Sequence, residues 1–314
     1  MTKGSSAARQ DLRKRRGLSK LEQGYMGFVL ILPWLIGFCI FKLYPFVSSL
    51  VYSFTDYDLF RGVQNVVGFQ NYIDAFTKAK NVKALKVTFT YAFMTVPLKL
   101  IFALFIAYIL NFKIKGVGLF RTAYYVPSIL GGSVAIAVLW KALFKNDGVV
   151  NTILTMLGFE SINFLADKNW ALFIICLLRV WQFGSAMVLF LAALKGVPVE
   201  GLYEAASIDG ATKGRQFLSI TIPLISPVIF YNLVTQLVQA FQEFNGPYII
   251  TNGGPRNATT LISVIVYNTA FKDYKVGMSS AMAWVMFVIV MILTIIAFVS
   301  QKKWVYYSDD DGRG

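Results

Sequence analysis

The residues in this sequence best placed to do chemistry are polar groups set in apolar surroundings. Asn232, Gln236, Gln239 and Glu243 recur at spacings of four, three and four, which puts them on one face of a helix. Amides both donate and accept hydrogen bonds, a repertoire that suits hydroxyl-rich solutes such as sugars. A stripe of amides facing lipid is costly, so this one should face protein or a water-filled path. Upstream, Arg179 and Gln182 share a helical face, with Trp181 and Phe183 beside them to pack on the apolar faces of sugar rings. Arg179 falls in the outer half of its apolar run and Glu243 near the outer end of the next. Unpaired charges there are expensive, so the two should pair or both line an outer gate. Lys99 sits close after Pro97, either as a functional group or bound to a carbonyl that the proline frees. The competing reading of all these residues is interhelical hydrogen bonding, at about 1 kcal/mol each.

Enzymatic chemistry finds little footing. The chain has no histidine, and so lacks the commonest general base and metal ligand. No Gly-x-x-x-x-Gly-Lys-Ser/Thr phosphate loop occurs, since Gly210 to Gly214 is followed by Arg215. There is no Cys/His metal constellation, and no residue is assigned a catalytic role. Cys39 and Cys176 both fall in apolar runs and are expected to be small buried apolar residues, not a disulfide.

The elements that position these groups are membrane spans. The 314 residues are 56% hydrophobic and 15% charged, a balance that suits lipid as the solvent. The expected fold is all-α, a polytopic integral membrane protein with six transmembrane helices at about 25–54, 87–112, 124–144, 170–194, 223–244 and 276–300. Residues 1–24 form a basic cytoplasmic segment and 305–314 a cytoplasmic tail. The +14 net charge does not imply nucleic acid, because its densest cluster, Arg13-Lys14-Arg15-Arg16, immediately precedes the first span, as in a cytoplasmic anchor. With both termini inside, sixteen of the thirty Lys and Arg residues fall on inner segments. Pro127, Ser128, Gly131, Gly132 and Ser133 in the third span provide for close helix approach. Thr260 to Phe271 is half apolar and reads as a short helix at the membrane surface.

The most informative stretch is the polar interval Glu200 to Pro227, within the loop 195–222 that joins spans four and five. Pro198 suits a first helical turn. Glu200 and Glu204 lie toward the positive end of the helix dipole, and Gly210 is a natural stop. Glu204-Ala205-Ala206, then Asp209-Gly210-Ala211, then Phe217, Ile220, Pro223 and Pro227 resemble the EAA loop of binding-protein-dependent ABC import permeases, in the carbohydrate-uptake branch that includes the maltose and multiple-sugar permeases. The likeness extends from Leu21 to Trp304. It is sharpest at Gly196 to Pro227 and next at Gly253 to Phe271, and it includes Val67-Gly68-Phe69-Gln70-Asn71-Tyr72.

This resemblance implies a permease subunit in a bacterial cytoplasmic (inner) membrane, with residues 25–304 as the importer's transmembrane domain. A cytoplasmic coupling helix carrying Tyr203, Glu204, Ala205, Ala206, Asp209 and Gly210 would dock on a separate ATPase. ATP and Mg would bind on two such partner subunits, with no cofactor on this chain. A second, similar permease would complete the pathway, and an extracytoplasmic sugar-binding protein would deliver the sugar, by this likeness an oligosaccharide. Arg179, Gln182, Asn232, Gln236, Gln239 and Glu243 are the pathway candidates. The alternative is a secondary transporter of a small polar solute driven by an ion gradient, with Lys99, Arg179 and Glu243 as its relay.

Overall fold

A computed structural model describes Met26 and residues 28–112, 116–197 and 199–307. The expectations for the basic cluster 13–16, for Tyr25, Lys113, Lys115 and Pro198, and for the end of the tail lie outside the described residues. Helices dominate, and among the described residues β-pairing is confined to isolated bridges such as Thr55 with Val66 and Asp58 with Gly62. Helix α1, Phe28–Ser53, is long and apolar enough to span a bilayer. Taken by itself it exposes Phe28, Leu30, Trp34 and Phe41. Cys39 on it is exposed, whereas Cys176 is buried, and both are free thiols. The expectation that both are buried therefore fails for Cys39.

The remainder is organised around α3, Ala79–Asn111, a single helix that continues through Pro97. It starts eight residues earlier than hydropathy predicts. Lys80, Lys83 and Lys86 are exposed, while Asn81, Ala84, Thr88, Tyr91, Thr95 and Lys99 form a buried stripe at three- and four-residue spacing. Hydropathy averages over such a helix and misses the amphipathic turns at its end. Ala84, Ala92, Ala103 and Ala107 are fully buried on α3, and such small residues let neighbouring backbones come close. Helix α2, Gln70–Thr77, precedes it. Asn71 there donates to the carbonyls of Ser53 and Thr55 at 2.9 and 2.8 Å.

Three of the expected spans are broken. The third comprises α4 (Val117–Leu130), α5 (Val134–Phe144) and α6 (Val149–Met156), and turns by 103° after α4. The break is at Gly131-Gly132-Ser133, where the Ser133 hydroxyl caps α5 by accepting from the Ala135 N–H. The fourth is α7 (Lys168–Trp181) and α8 (Gly184–Gly196), bent by 44°. The fifth is α10 (Lys213–Leu224) and α11 (Ser226–Phe241), bent by 68°, with α9 (Glu200–Ile208) preceding it. Close approach at the small residues does occur. A Cβ on Gly184 would lie 2.4 Å from the Tyr124 carbonyl, and the Ser128 hydroxyl donates to the Gln182 carbonyl at 3.1 Å.

Helix α12, Ile262–Phe271, departs from expectation. It does not rest on lipid by its apolar residues alone: Ile262, Val264, Ile265 and Thr269 are buried, and it packs on α3 and on the last helix, α13 (Val276–Gln301). Its apolar residues run nearly all the way round, which suits a buried helix better than an interfacial one. The preceding loop turns at Gly253, where φ is +81° and a Cβ would meet the Thr260 hydroxyl at 2.4 Å, so only glycine fits.

Candidate functional site

Two places carry the predicted functional residues. The first is a polar seam where α3, α7 and α11 meet. The Arg179 guanidinium lies 3.5 Å from the Glu243 carboxylate, and both side chains are mostly buried. It also donates to Gln182 Oε1 at 3.0 Å and to Gln239 Oε1 at 3.1 Å. Pairing is thus the arrangement adopted of the two anticipated for Arg179 and Glu243. The helical stripe itself needs amending: α11 ends at Phe241, so Glu243 lies just past its C-terminus. There Glu243 accepts the Gly246 N–H at 3.1 Å and its carbonyl accepts from the Ser263 hydroxyl. Gln182 likewise sits in the break between α7 and α8, which is what lets its amide turn back to Arg179.

Lys99 joins this seam. It is 3% exposed, and Nζ donates to Gln236 Oε1 at 2.7 Å. The proline-freed carbonyl proposed as its partner is replaced by a side chain from another helix. Gln236 and Gln239 therefore bridge two cations on different elements. Asn232 stays apart: it is buried and donates to the carbonyl of Val228 in its own helix at 3.1 Å. Sequence reasoning missed Tyr91 and Thr95. They stand one and two turns from Lys99 on the same face of α3, are fully buried, and have hydroxyl oxygens without a hydrogen-bond partner. Their i, i+4, i+8 spacing was the available signal. Trp181 packs at a tilt against Trp140, with ring centroids 5.6 Å apart, and Phe183 packs against Phe102 and Tyr124, so both aromatic side chains serve the interior. A cavity of about 10 Å³, lined by Tyr91, Gly131, Arg179, Gln182, Glu243 and Asn245, opens in the seam. That is room for about one water.

The second place is α9. Gly210 follows it with φ +76°. The Gly210 N–H donates to Ser207 O at 3.1 Å and the Ala211 N–H to Ala206 O at 2.9 Å. These two bonds form a Schellman stop, as the sequence predicts. Glu204, Ala205 and Asp209 are exposed, as are Leu202 and Ile208 at 49% and 87%. The other face is held. Tyr203 shares a hydrogen bond with Thr221. The buried Gln216 amide donates to Ser207 Oγ at 2.8 Å and Ala211 O at 3.1 Å, with a longer bond to Tyr203 O at 3.4 Å. Gln216 was not singled out from sequence, because nothing in its local context distinguishes it from a surface residue. Beneath lies a largely apolar pocket of about 260 Å³, lined by Tyr108, Phe112, Leu194, Tyr203 and Phe217.

Known proteins place this geometry in context. The chain is 45% identical over 304 residues to the probable ABC transporter permease protein YesP of Bacillus subtilis, covering 96% of this chain and 97% of that one. It is 33% identical to the trehalose/maltose transport system permease protein MalF of Thermococcus litoralis, covering 88% and 94%. Among solved structures, a bacterial alginate ABC transporter in complex with alginate pentasaccharide-bound periplasmic protein superimposes with a TM-score of 0.78 at 21% identity, covering 91% of this chain and 96% of the other, which supports the shared fold. The ion-gradient alternative finds no support among these relatives. The family of binding-protein-dependent transport system inner membrane components matches residues 4–304, and with an exposed, capped helix between two broken spans and a polar seam within them, this chain belongs to that family.

Proposed function

We propose that this chain is one of two similar permease subunits in an ATP-driven importer of carbohydrate. A solute-binding protein outside the membrane delivers the sugar, and two ATP-binding subunits on the inner side do the hydrolysis. The observation that carries this reading is α9: a short helix with both leucine and isoleucine exposed, completed at its C-terminus and tied down on its opposite face. An exposed apolar helix face on an otherwise polar loop is a docking surface. The relatives named for trehalose/maltose, lactose and multiple sugars support carbohydrate as the cargo. The amides and charges of the seam supply the hydrogen-bonding groups that sugar hydroxyls need. Movement of α9 would separate the elements of the seam, giving access from alternate sides.

The test is affinity isolation of the assembled complex from native membranes. Wild type should retain an ATP-binding subunit. Glu204→Lys inverts an exposed charge, and Gly210→Val places a β-branched residue in the left-handed region; each should cut retention about tenfold, the equivalent of about 1.4 kcal/mol. A wild-type permease that never retains an ATPase would refute the reading.

A further inference from the structure

The apolar run of α13 stops at Val299, and the chain then turns back on itself. The Lys303 N–H donates to Ser300 O, and the N–H groups of Trp304 and Val305 donate to Gln301 O. This turn lays residues 302–307 against the start of α11. There the Tyr306 N–H donates to Ser226 Oγ at 2.8 Å, and the Ser226 hydroxyl donates to the Pro223 carbonyl at 2.6 Å. Phe230, one turn further along α11, meets the Phe298 ring edge-on, with centroids 5.0 Å apart, and the Trp304 ring at 6.0 Å. Ser226 is 2% exposed and opens α11 at the 68° joint of the fifth span. The end of the chain is therefore fastened to that joint.

The outward side of the same segment has a distinct composition. Trp304, Tyr306 and Tyr307 are 40%, 47% and 46% exposed, and Lys302 and Lys303 are exposed beside them. Among the described residues neither lysine forms an ion pair. Water alone does not favour three large rings on one exposed turn, and a protein core does not favour two lysines. The boundary between hydrocarbon and headgroups favours both: the rings present an apolar body with a polar edge, and the lysines lay apolar stems along it with the charge outward. The place in the chain agrees, directly after a span whose apolar residues have just ended. The positive run is short, since Asp309, Asp310 and Asp311 follow in the sequence.

We propose that residues 302–307 form an interfacial foot, whose partner is the headgroup layer of the bilayer and which holds the joint of the fifth span at that depth. Lys302 and Lys303 take lipid phosphates, and the rings of Trp304, Tyr306 and Tyr307 lie at the headgroup level. Ser226 is the link, because its hydroxyl bonds the Pro223 carbonyl on one side of the bend and the foot's Tyr306 N–H on the other. Bending at Ile225 then turns α10 about a pivot that lipid anchors. α9 turns with it, since Gln216 of α10 donates to Ser207 of α9. The inference is independent of the solute carried.

The experiment uses the complete transporter in nanodiscs of phosphatidylcholine and phosphatidylglycerol, and has two readouts. In the first, the photoreactive p-benzoylphenylalanine replaces Tyr307, one aromatic side chain for another, and the adducts formed on irradiation are identified by mass spectrometry. A phospholipid adduct is expected as the main product. A main adduct with another protein subunit, or no adduct at all, overturns the foot, the first assigning the segment to a protein contact and the second to water. In the second readout, hydrogen exchange is followed across residues 222–231. Tyr306→Pro removes the N–H that reaches Ser226, and a chain ending at Gln301 removes the foot altogether. Each should exchange about tenfold faster there than wild type, for the loss of a buried hydrogen bond and, in the shorter chain, an aromatic contact as well. Unchanged exchange in both overturns the fastening. Lys302→Glu combined with Lys303→Glu alters exposed side chains alone, so the fold survives it. This variant should exchange severalfold faster than wild type in nanodiscs and equally in dodecyl maltoside, which has no phosphate. A variant that matches wild type in nanodiscs, or differs from it equally in both media, overturns the part given to lipid phosphates.

Discussion

Arg179 and Glu243 provide the sharpest thermodynamic test of the seam. In Arg179→Met the guanidinium is lost together with two hydrogen bonds, at 3.0 and 3.1 Å, to neutral amides. Hydrogen bonds to a charged group contribute about 1.5–3 kcal/mol each in soluble proteins, but polar contacts between membrane helices average only about 0.6 kcal/mol. The Glu243 carboxylate, 14% exposed, is left with the Gly246 N–H alone. In Glu243→Gln, Arg179 keeps both amides. A pair 3.5 Å apart attracts by about 4–5 kcal/mol at an effective dielectric constant near 20, and partial exposure with desolvation removes much of that. A coupling energy of about 1–2 kcal/mol is expected. The assay is a double-mutant cycle on thermal unfolding of the detergent-solubilised complex, followed by tryptophan fluorescence, with sugar uptake measured in parallel. Each single variant should destabilise, and the double variant by clearly less than the sum. Additivity within about 0.3–0.5 kcal/mol, the tolerance for independent sites, in both unfolding and uptake would refute the pairing.

Two further outcomes follow from residues outside the seam. Gln216→Leu keeps the volume but removes the donor to Ser207, Ala211 and Tyr203. It should cost about 1–3 kcal/mol through the acceptors left unpaired, seen as faster hydrogen exchange in 200–211 at an unchanged level in the membrane. In the loop after α1, the Asn65 backbone N–H, then its side-chain amide and the Gln64 N–H, hold the Asp56 carboxyl below its ordinary value of 3.8. A depressed carboxyl stabilises the fold above its unfolded pKa and loses that contribution as pH falls through the folded pKa. The 54–67 loop should therefore stay resistant to pepsin at pH 4.5 (about half a unit above the ordinary Asp pKa) and open below 3.8, and Asp56→Asn should abolish that acid step.

How far the sequence could be read depended on the range of the interaction. The Gly210 stop and its pair of N–H bonds follow from a local conformational rule, and the structure reproduces them. The apolar spans were legible because lipid selects composition over some twenty residues. The breaks at Gly131–Ser133, at Gln182–Phe183 and at Ile225 were not, because a hydropathy sum is blind to direction. Gly131 gives a clue only with its neighbour in view: a Cβ there would lie 2.6 Å from the Gln182 side chain. In the seam, one-face periodicity identified Gln236 and Gln239. It could not tell that Asn232 bonds to its own helix while Lys99 reaches across to Gln236. The burial of α12 was hidden for the same reason, since its apolar residues suit a membrane surface as well as an interior.

The unbroken α3 has a mechanical consequence. At 33 residues it is about 50 Å long, against a hydrocarbon core of about 30 Å. One end is fastened to α2, where the Asn81 amide donates to the Asp74 carbonyl. The other reaches the pocket under α9, where the Tyr108 ring packs at a tilt against Phe217, centroids 4.5 Å apart. The third, fourth and fifth spans have joints and can fold at them. α3 has none, so it can only tilt or turn as one piece. It is a strut among hinges: if Phe217 moves, α3 can follow only as one piece, and Lys99 moves with it.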